Sequence, residues 1–567
     1  MVPLTTYAGS EREPTFSPDG SQVAFSWDGA SGDNWDIYVK MIGSEHMLRL
    51  TFDPAPDRCP AWAPDGRLIA FLRGSPGGGS EVRFVSPLGG ADRRVAKLLT
   101  PAEHGLSWNP DGRRIVVSDR SAPDEAPGLF VVDLESGRKE RLTLPPGPTD
   151  ADYLPAMSPD GRTLAFARVN PENHRFYLLP ATGGEARELT AGLWGRRPAW
   201  TADGSEILFT GLTIVGAEVS AGPPVLLRRG GRPGAPLLWR ISVDGGEERA
   251  VDGTTGCSEV AVSRDGSRLA CSQVVSRSDI WQLDLERAEP SARTQTPLIV
   301  STRLDANPRL SPDGSRVAFT SARSGYQEIW VADRDGSNLI QVTSLGTAGA
   351  VGSPRWSPGG RRLAFDFVAR GEKADIYVVS ASGGPPRRIT EAPSVDLTPT
   401  WSRDGRWIYY GSDRSGGWQV WTVAADGELD ENARQVTRGG GYAPTASLDG
   451  RHVYFARYLV QDGLENALWR IRVEGGDEEE VVESIVSAFQ WDLTAEGIYF
   501  TDRQRSSAGG GWVVKRCDLD GGRVTVVAET LPPALFGPGF SVSSDGRRIL
   551  SMHTEEEADL MLAENFR

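Results

Sequence analysis

The chain has 567 residues, among them 66 Gly and 39 Pro, yet 39% are apolar and 17 Trp, 18 Phe and 12 Tyr are present. That composition excludes a low-complexity disordered chain and supplies material for several packed cores. With 61 basic against 76 acidic residues, the net charge of −15 excludes a nucleic-acid polyanion as the main partner.

The N-terminal MVPLTTYAGSEREPTF lacks a basic start followed by an apolar stretch, so no signal peptide is read there and a cytoplasmic location is expected. The periplasm is the alternative if the N-terminus is incomplete. No stretch approaches 18 apolar residues, so no membrane insertion is expected. Cys59, Cys257, Cys271 and Cys517 form neither a CxxC pair nor a dense framework, so reduced core thiols are expected. Neighbouring strands for Cys257 and Cys271 stay open.

Along the chain a four-residue turn recurs, beginning at residues 17, 63, 109, 158, 201 and 263, then at 311, 357, 402, 447, 494 and 543. It reads SPDG at 17–20, 158–161 and 311–314, with variants such as APDG at 63–66 and SRDG at 402–405. Successive starts differ by 46, 46, 49, 43, 62, 48, 46, 45, 45, 47 and 49 residues, the range of a propeller blade. Each copy has the same interior. A short segment such as Pro354-Arg355-Trp356 precedes the turn and a run such as Leu363-Ala364-Phe365 follows it. An alternating stretch like Asp375-Ile376-Tyr377-Val378 comes next, then a Gly-Gly or Asp-Gly turn and a segment like Arg388-Ile389-Thr390. Alternation with β-branched and aromatic residues predicts strands, and the paired turn residues supply positive φ for tight hairpins. Each repeat is therefore a four-stranded antiparallel meander that must stack on its neighbours.

Twelve blades exceed one ring, so the expected fold is all-β: two tandem six-bladed β-propellers. The predicted boundaries are 1–285 for the first propeller, 286–296 for a linker and 297–567 for the second. Each ring is expected to be closed by its own N-terminal strand. Residues 3–8 would join the third strand at Asp279–Gln282 in blade 6, and residues 297–302 would join Asp559–Leu562 in blade 12. The competing assignment exchanges these two closing strands. The 62-residue interval holds an insertion at 211–236 with Arg228, Arg229 and Arg232 among Gly and Pro, read as a tolerated loop.

The pattern P-x-W-S-P-D-G, then I/L-A-F, D-I-Y-V and R-I-T, clearest at 14–39, 60–71, 308–331, 354–379 and 399–423, resembles the TolB-like β-propeller family. The blades are similar to those of prolyl-oligopeptidase-type and tricorn-like proteases and of sensor propellers on bacterial Ser/Thr kinases and winged-helix regulators. The resemblance implies binding or gating with chemistry housed elsewhere, carries no catalytic motif onto this chain, and makes a periplasmic location the alternative to cytoplasm. Turn aspartates such as Asp19, Asp160 and Asp313 are read as caps of their own turns.

No Gly-x-Ser-x-Gly elbow, Walker A loop or kinase signature occurs. His46, His104, His174, His452 and His553 show no ligand spacing, so no catalytic residue, metal site or cofactor is expected. Asp333-x-Asp335-Gly336-x-Asn338 is read as a hairpin turn, as are Arg323-Ser324-Gly325 and Arg414-Ser415-Gly416. The tryptophans at 62, 108, 200, 356 and 401 share one blade position and are read as packing between blades. The candidate binding residues are those at the starts of the inner strands of the first ring: Glu11, Glu13, His104, Asp152, Arg197 and Glu259, with Asp57 and Arg196 beside them. The milder set in the second ring is Asp305, Asn307, Ser353, Asp396, Thr398 and Tyr442. Converging charges around an axis make a funnel for a protein or peptide partner, or a small ligand. On that reading Glu13→Ala or Arg197→Ala weakens binding without lowering the melting temperature. The expected function is non-enzymatic binding or scaffolding. The alternatives are a sensory or regulatory module separated from a kinase or winged-helix regulator, and a propeller lyase or accessory part of a peptidase.

Overall fold

The computed structural model describes the chain except residues 76–77, 124, 148–149, 170–173, 191–196, 212–236, 287–292, 294, 347–348, 370–371, 459–465, 486, 504–511, 520–521, 532–538 and 567. Arg196, the 211–236 insertion from residue 212 onward and most of the 286–296 linker lie outside the described residues. Within them the chain is all-β, with one three-residue 3-10 turn at Ala102–His104 as its helical element. Ten four-stranded sheets run as sequential antiparallel meanders, and a further sheet has six strands.

The SPDG turn explains the regularity. In Ser311–Gly314 the Asp313 carboxylate accepts from Ser311 Oγ at 2.6 Å and from the Ser315 N–H at 3.1 Å. The Arg316 N–H donates to Ser311 Oγ at 2.9 Å. Gly314 closes the turn at φ 68°, where a side chain would be strained. These bonds hold the Asp313 carboxyl down at about 2. The same Ser/Thr-to-Asp bond recurs at Asp19, Asp160, Asp203, Asp265, Asp404, Asp449 and Asp545. These aspartates cap turns.

Strand-to-strand and sheet-to-sheet links repeat with equal fidelity. A threonine two residues past the fourth strand turns its hydroxyl to the third strand, as where Ile376 N–H donates to Thr390 Oγ1 at 3.0 Å and Ile329 N–H to Thr343 Oγ1 at 2.8 Å. Four of the five inner-strand tryptophans donate their indole N–H to the preceding sheet: Trp108 to Ala61 O, Trp200 to Ala156 O, Trp356 to Arg309 O and Trp401 to Arg355 O, at 2.8–3.0 Å, whereas the Trp62 N–H is buried without a partner. Packing between sheets is their role. Phe25, Phe71, Phe166, Phe209, Phe319, Phe365 and Phe455 fill the second-strand positions with no exposure at all, so each sheet buries both faces.

The described chain forms two compact units. The first contains residues 1–211, 237–275 and 556–566, and the second contains residues 276–555. Each has five four-stranded sheets and a share of the six-stranded one. The contiguous boundaries at 285 and 297 are corrected at two places, because two 17-residue strands, Arg268–Asp284 and Arg548–Glu564, contribute their halves to different units. In the first unit the last sheet combines Cys257–Val262, the start of Arg268–Asp284, the end of Arg548–Glu564 and Val2–Pro3. In the second it combines Phe540–Val542, the start of Arg548–Glu564, the end of Arg268–Asp284 and Gln295–Ile299. The N-terminal strand thus pairs with Met561 and Leu562, not with 279–282. Residues 295–299 pair with Ile280–Leu283, not with 559–562. The closing partners follow the exchanged assignment because each long strand continues past the residues where a hairpin would otherwise have turned back.

Candidate binding site

Each inner strand has a local feature that places its side chains. Glu13, Cys59, Leu154, Asn307, Ser353, Thr398 and Ala443 all have φ between 47° and 59°, and each precedes a proline at a β-bulge. Left-handed backbone at a non-glycine residue costs about 1–2 kcal/mol, so the surrounding contacts must over-determine it. The bulge turns an N–H out of the ladder, and a carboxylate collects it. Glu13 N–H donates to Glu259 Oε2 at 2.8 Å, Cys59 N–H to Glu13 Oε2 at 2.6 Å, and Thr398 N–H to Asp366 Oδ1 at 3.1 Å. A hydroxyl thirteen residues on completes the unit: Ser26 donates to Glu13 at 2.8 Å, Ser272 to Glu259 at 3.2 Å, and Thr320 accepts from Asn307 at 3.1 Å. The x-Pro dipeptides at one repeat position are the sequence signal for this feature: the P-x-W pattern contains the prolines, but not the left-handed residue before each of them.

Among the first-unit candidates Glu11, Glu13, Asp152 and Glu259 are buried, while His104 and Arg197 are half-buried. Glu13 is 8% exposed and also meets Arg58, whose guanidinium lies 3.3 Å away and stacks 4.0 Å over Trp35. Burial pushes the Glu13 carboxyl up, but Arg58, the Cys59 N–H and the Ser26 hydroxyl outweigh it and hold it well below the usual range. Burial and the Glu13 charge push the Cys59 thiol up. Glu259 lies 3.9 Å from Arg12. Asp152 is fully buried in a two-pronged bond from Arg168 at 2.7 and 2.9 Å, and Asp57 likewise from Arg73 at 2.6 and 2.7 Å. Burial nevertheless lifts Asp57 to about 6. His104 stacks 4.1 Å from Tyr153 with Nδ1 buried and unpartnered, and burial with nearby Arg120 lowers it to about 4. Glu11 is fully buried with no cation against it among the described residues.

In the second unit Arg323 and Arg414, assigned to hairpins from their Arg-Ser-Gly setting, reach back to Asp305 at 2.9 Å and Asp396 at 2.7 Å. Tyr442 bonds Asn466. The Asp333–Asn338 segment is a turn closed on itself, with Asn338 donating to Asp333 and Ser337 to Asp335.

A cavity lies at the far ends of the inner strands. Residues from all six inner strands of the first unit, including Pro14, Trp62, Trp108, Met157, Arg197 and Val262, line one cavity of about 330 Å³. Of the six predicted residues only Arg197 lines it, with its guanidinium held by Leu106 O. Its wall mixes proline, alanine and tryptophan with hydroxyls such as Ser107 and Thr201 and with two arginines, Arg197 and Arg264, a surface offering both apolar contact and orienting polar groups. Cys257 and Cys271 form a disulfide on adjacent strands of the first unit, which corrects the expectation of reduced thiols, while Cys59 and Cys517 are buried free thiols. No helix among the described residues is long and apolar enough to cross a membrane.

Residues 341–488 match the TolB beta propeller domain. The chain is 37% identical to the Tol-Pal system protein TolB of Bordetella pertussis over 157 residues, which is 20% of this chain and 35% of that protein. It thus spans about a third of the length of the curated TolB proteins it matches. An uncharacterized peptidase of Bacillus subtilis, YuxL, is 32% identical over 108 residues, 18% of this chain and 16% of that one. A solved structure of TolB from Acinetobacter baumannii aligns with 65% of this chain and 79% of its own, at 16% identity and a TM-score of 0.28. Residues 341–488 therefore carry TolB-like β-propeller repeats.

Proposed function

We propose that the chain is a non-enzymatic binding protein of two six-bladed β-propellers, the first taking an extended segment of a protein or peptide partner into its axial cavity. The observation that carries this reading is the 330 Å³ hollow to which all six inner strands of the first unit contribute. Arg197 supplies an orienting cation at its wall, and the proline-rich surface supplies dry contact area. The buried acids at the strand starts set the bulges that shape the wall. The Cys257–Cys271 disulfide and the similarity to TolB favour an oxidising, periplasmic setting over the cytoplasm. The similarity of a short stretch to YuxL favours a second reading, the accessory propeller of a peptidase. The test is co-purification with the intact chain, Met157→Trp to fill the cavity and Arg197→Ala to remove one of its two lining cations, Arg264 being the other. Loss of the captured partner in both variants supports the reading, and unchanged capture in both overturns it.

A further inference from the structure

Five sheets begin the inner strand with a carboxylate of zero exposure: Glu11, Asp57, Asp152, Asp305 and Asp396. Four of these hold an arginine, namely Arg73, Arg168, Arg323 and Arg414, at 2.6–2.9 Å. Glu11 holds none. Its cross-strand partner is Trp27, in the register position where Arg73 faces Asp57 and Arg168 faces Asp152. The indole N–H of Trp27 is spent on Ala8 O at 3.1 Å. One Glu11 oxygen accepts from Thr5 Oγ1 at 3.3 Å, and the other is buried without a partner. The charged groups around it make matters worse. Asp28 follows the second strand and accepts the Ser10 N–H at 2.7 Å, and Asp559 approaches from the C-terminal strand with Glu557 near it. On its own strand Arg12 lies toward Glu259 and Glu13 is engaged by Arg58.

We propose that Glu11 is a proton-operated clasp, closed when its carboxyl is protonated, that holds the N-terminal strand in the last sheet of the first unit. A bare carboxylate here has no compensating charge and two acidic neighbours, whereas the neutral acid needs neither. The clasp reaches the strand through one hydroxyl. Thr5 Oγ1 donates to Glu11 and accepts the Leu560 N–H at 2.8 Å, while Leu4 and Thr5 N–H both donate to Leu560 O at 2.7 and 3.2 Å. Val2 and Pro3 continue this pairing onto Leu562 and Met561, and Ser10 bridges Ala558. Burial and Asp559 lift the carboxyl from its ordinary value of 4.5 to about 8. Closing therefore takes up a proton between those values, so the closed strand is most stable below pH 4.5, weakens as pH rises to 8, and changes no further above it.

Hydrogen exchange of the whole chain, read by mass spectrometry on peptides covering residues 1–8 and 557–563 from pH 5.5 to 9, tests this. After correction for intrinsic base catalysis, protection falls roughly tenfold per pH unit to pH 7.5 and levels above 8. Glu11→Gln flattens the profile with protection retained, because the amide stays neutral. Parallel slopes in wild type and Glu11→Gln overturn the proposal. Asp559→Asn serves if Glu11→Gln fails to fold: with one acidic neighbour gone, the fall in protection levels off at a lower pH, and a profile unchanged from wild type overturns the proposal.

Discussion

In the first unit the inner-strand bulges carry Glu13, Cys59 and Leu154, with Glu259 at the matching place in the last sheet; in the second they carry Asn307, Ser353, Thr398 and Ala443. The backbone is the same left-handed bulge before proline in both. The chemistry that holds it differs. The first unit collects bulge N–H groups on Glu13 and Glu259 and neutralises those acids with Arg58 and Arg12. The second uses neutral groups at the bulge itself, such as Asn307 against Thr320, and moves its acid to Asp366 on the next strand. One fold position therefore tolerates either buried charge or neutral polarity, provided every donor is met. The charges at the first unit's bulges are met by bonds within the fold, and its cavity lies at the other end of the same strands.

That contrast can be broken at its arginines. Arg73→Ala strands the fully buried Asp57, and a loss of about 3–5 kcal/mol is expected in chemical denaturation. Arg388→Ala, whose Asp375 partner is bonded from a half-exposed guanidinium, should lose clearly less. Glu13→Ala leaves Arg58 and the Cys59 N–H unmet and should cost about 3 kcal/mol, so a lowered melting temperature is expected where an unperturbed one was read from the sequence. Asn307→Ala at the matching site should cost about 1 kcal/mol.

Redox state sharpens the comparison next. The Cys257–Cys271 bond closes a 14-residue separation in the first unit, so Cys271→Ser or a reductant should remove about 3 kcal/mol. Calorimetry should show the first unit's transition moving and the second's staying. The smallest effect is expected at His104. Held at about 4 against an ordinary 6.5, it stays neutral when folded while the unfolded chain takes a proton. Its contribution is present above pH 6.5 and lost as pH falls through 4. His104→Phe should flatten the first unit's stability across that window, and an unchanged slope would assign the acid transition to other groups.

Much of the fold was legible because its signals are local. The Ser/Thr-to-Asp turn bond spans two residues, the threonine clamp past the fourth strand about fourteen, and the tryptophan link one repeat. The predicted strands and turn caps therefore appear where the repeat put them. The candidate site was read less well. The six residues singled out are close to one another in the repeat, but strand alternation and the bulge direct Glu13, Asp152 and Glu259 into bonded, buried places. Of those six only Arg197 lines the cavity; Arg264, which also lines it, sits in the SRDG turn at 263–266 and reads in the sequence as part of that turn. Arg323 and Arg414 were hidden for the opposite reason: an Arg-Ser-Gly hairpin looks complete until its side chain is seen to turn back onto a carboxylate.

The repeat and the all-β class follow from the chain alone, because hydrogen bonds within a repeat act between residues near in the chain. Only the tertiary structure decided which strands close each last sheet, that Cys257 meets Cys271, and that Glu11 faces Trp27 where other sheets place arginine. Two long strands with equivalent patterns can exchange partners without altering any local preference. The choice between them rests on contacts among segments hundreds of residues apart, and no periodicity encodes those.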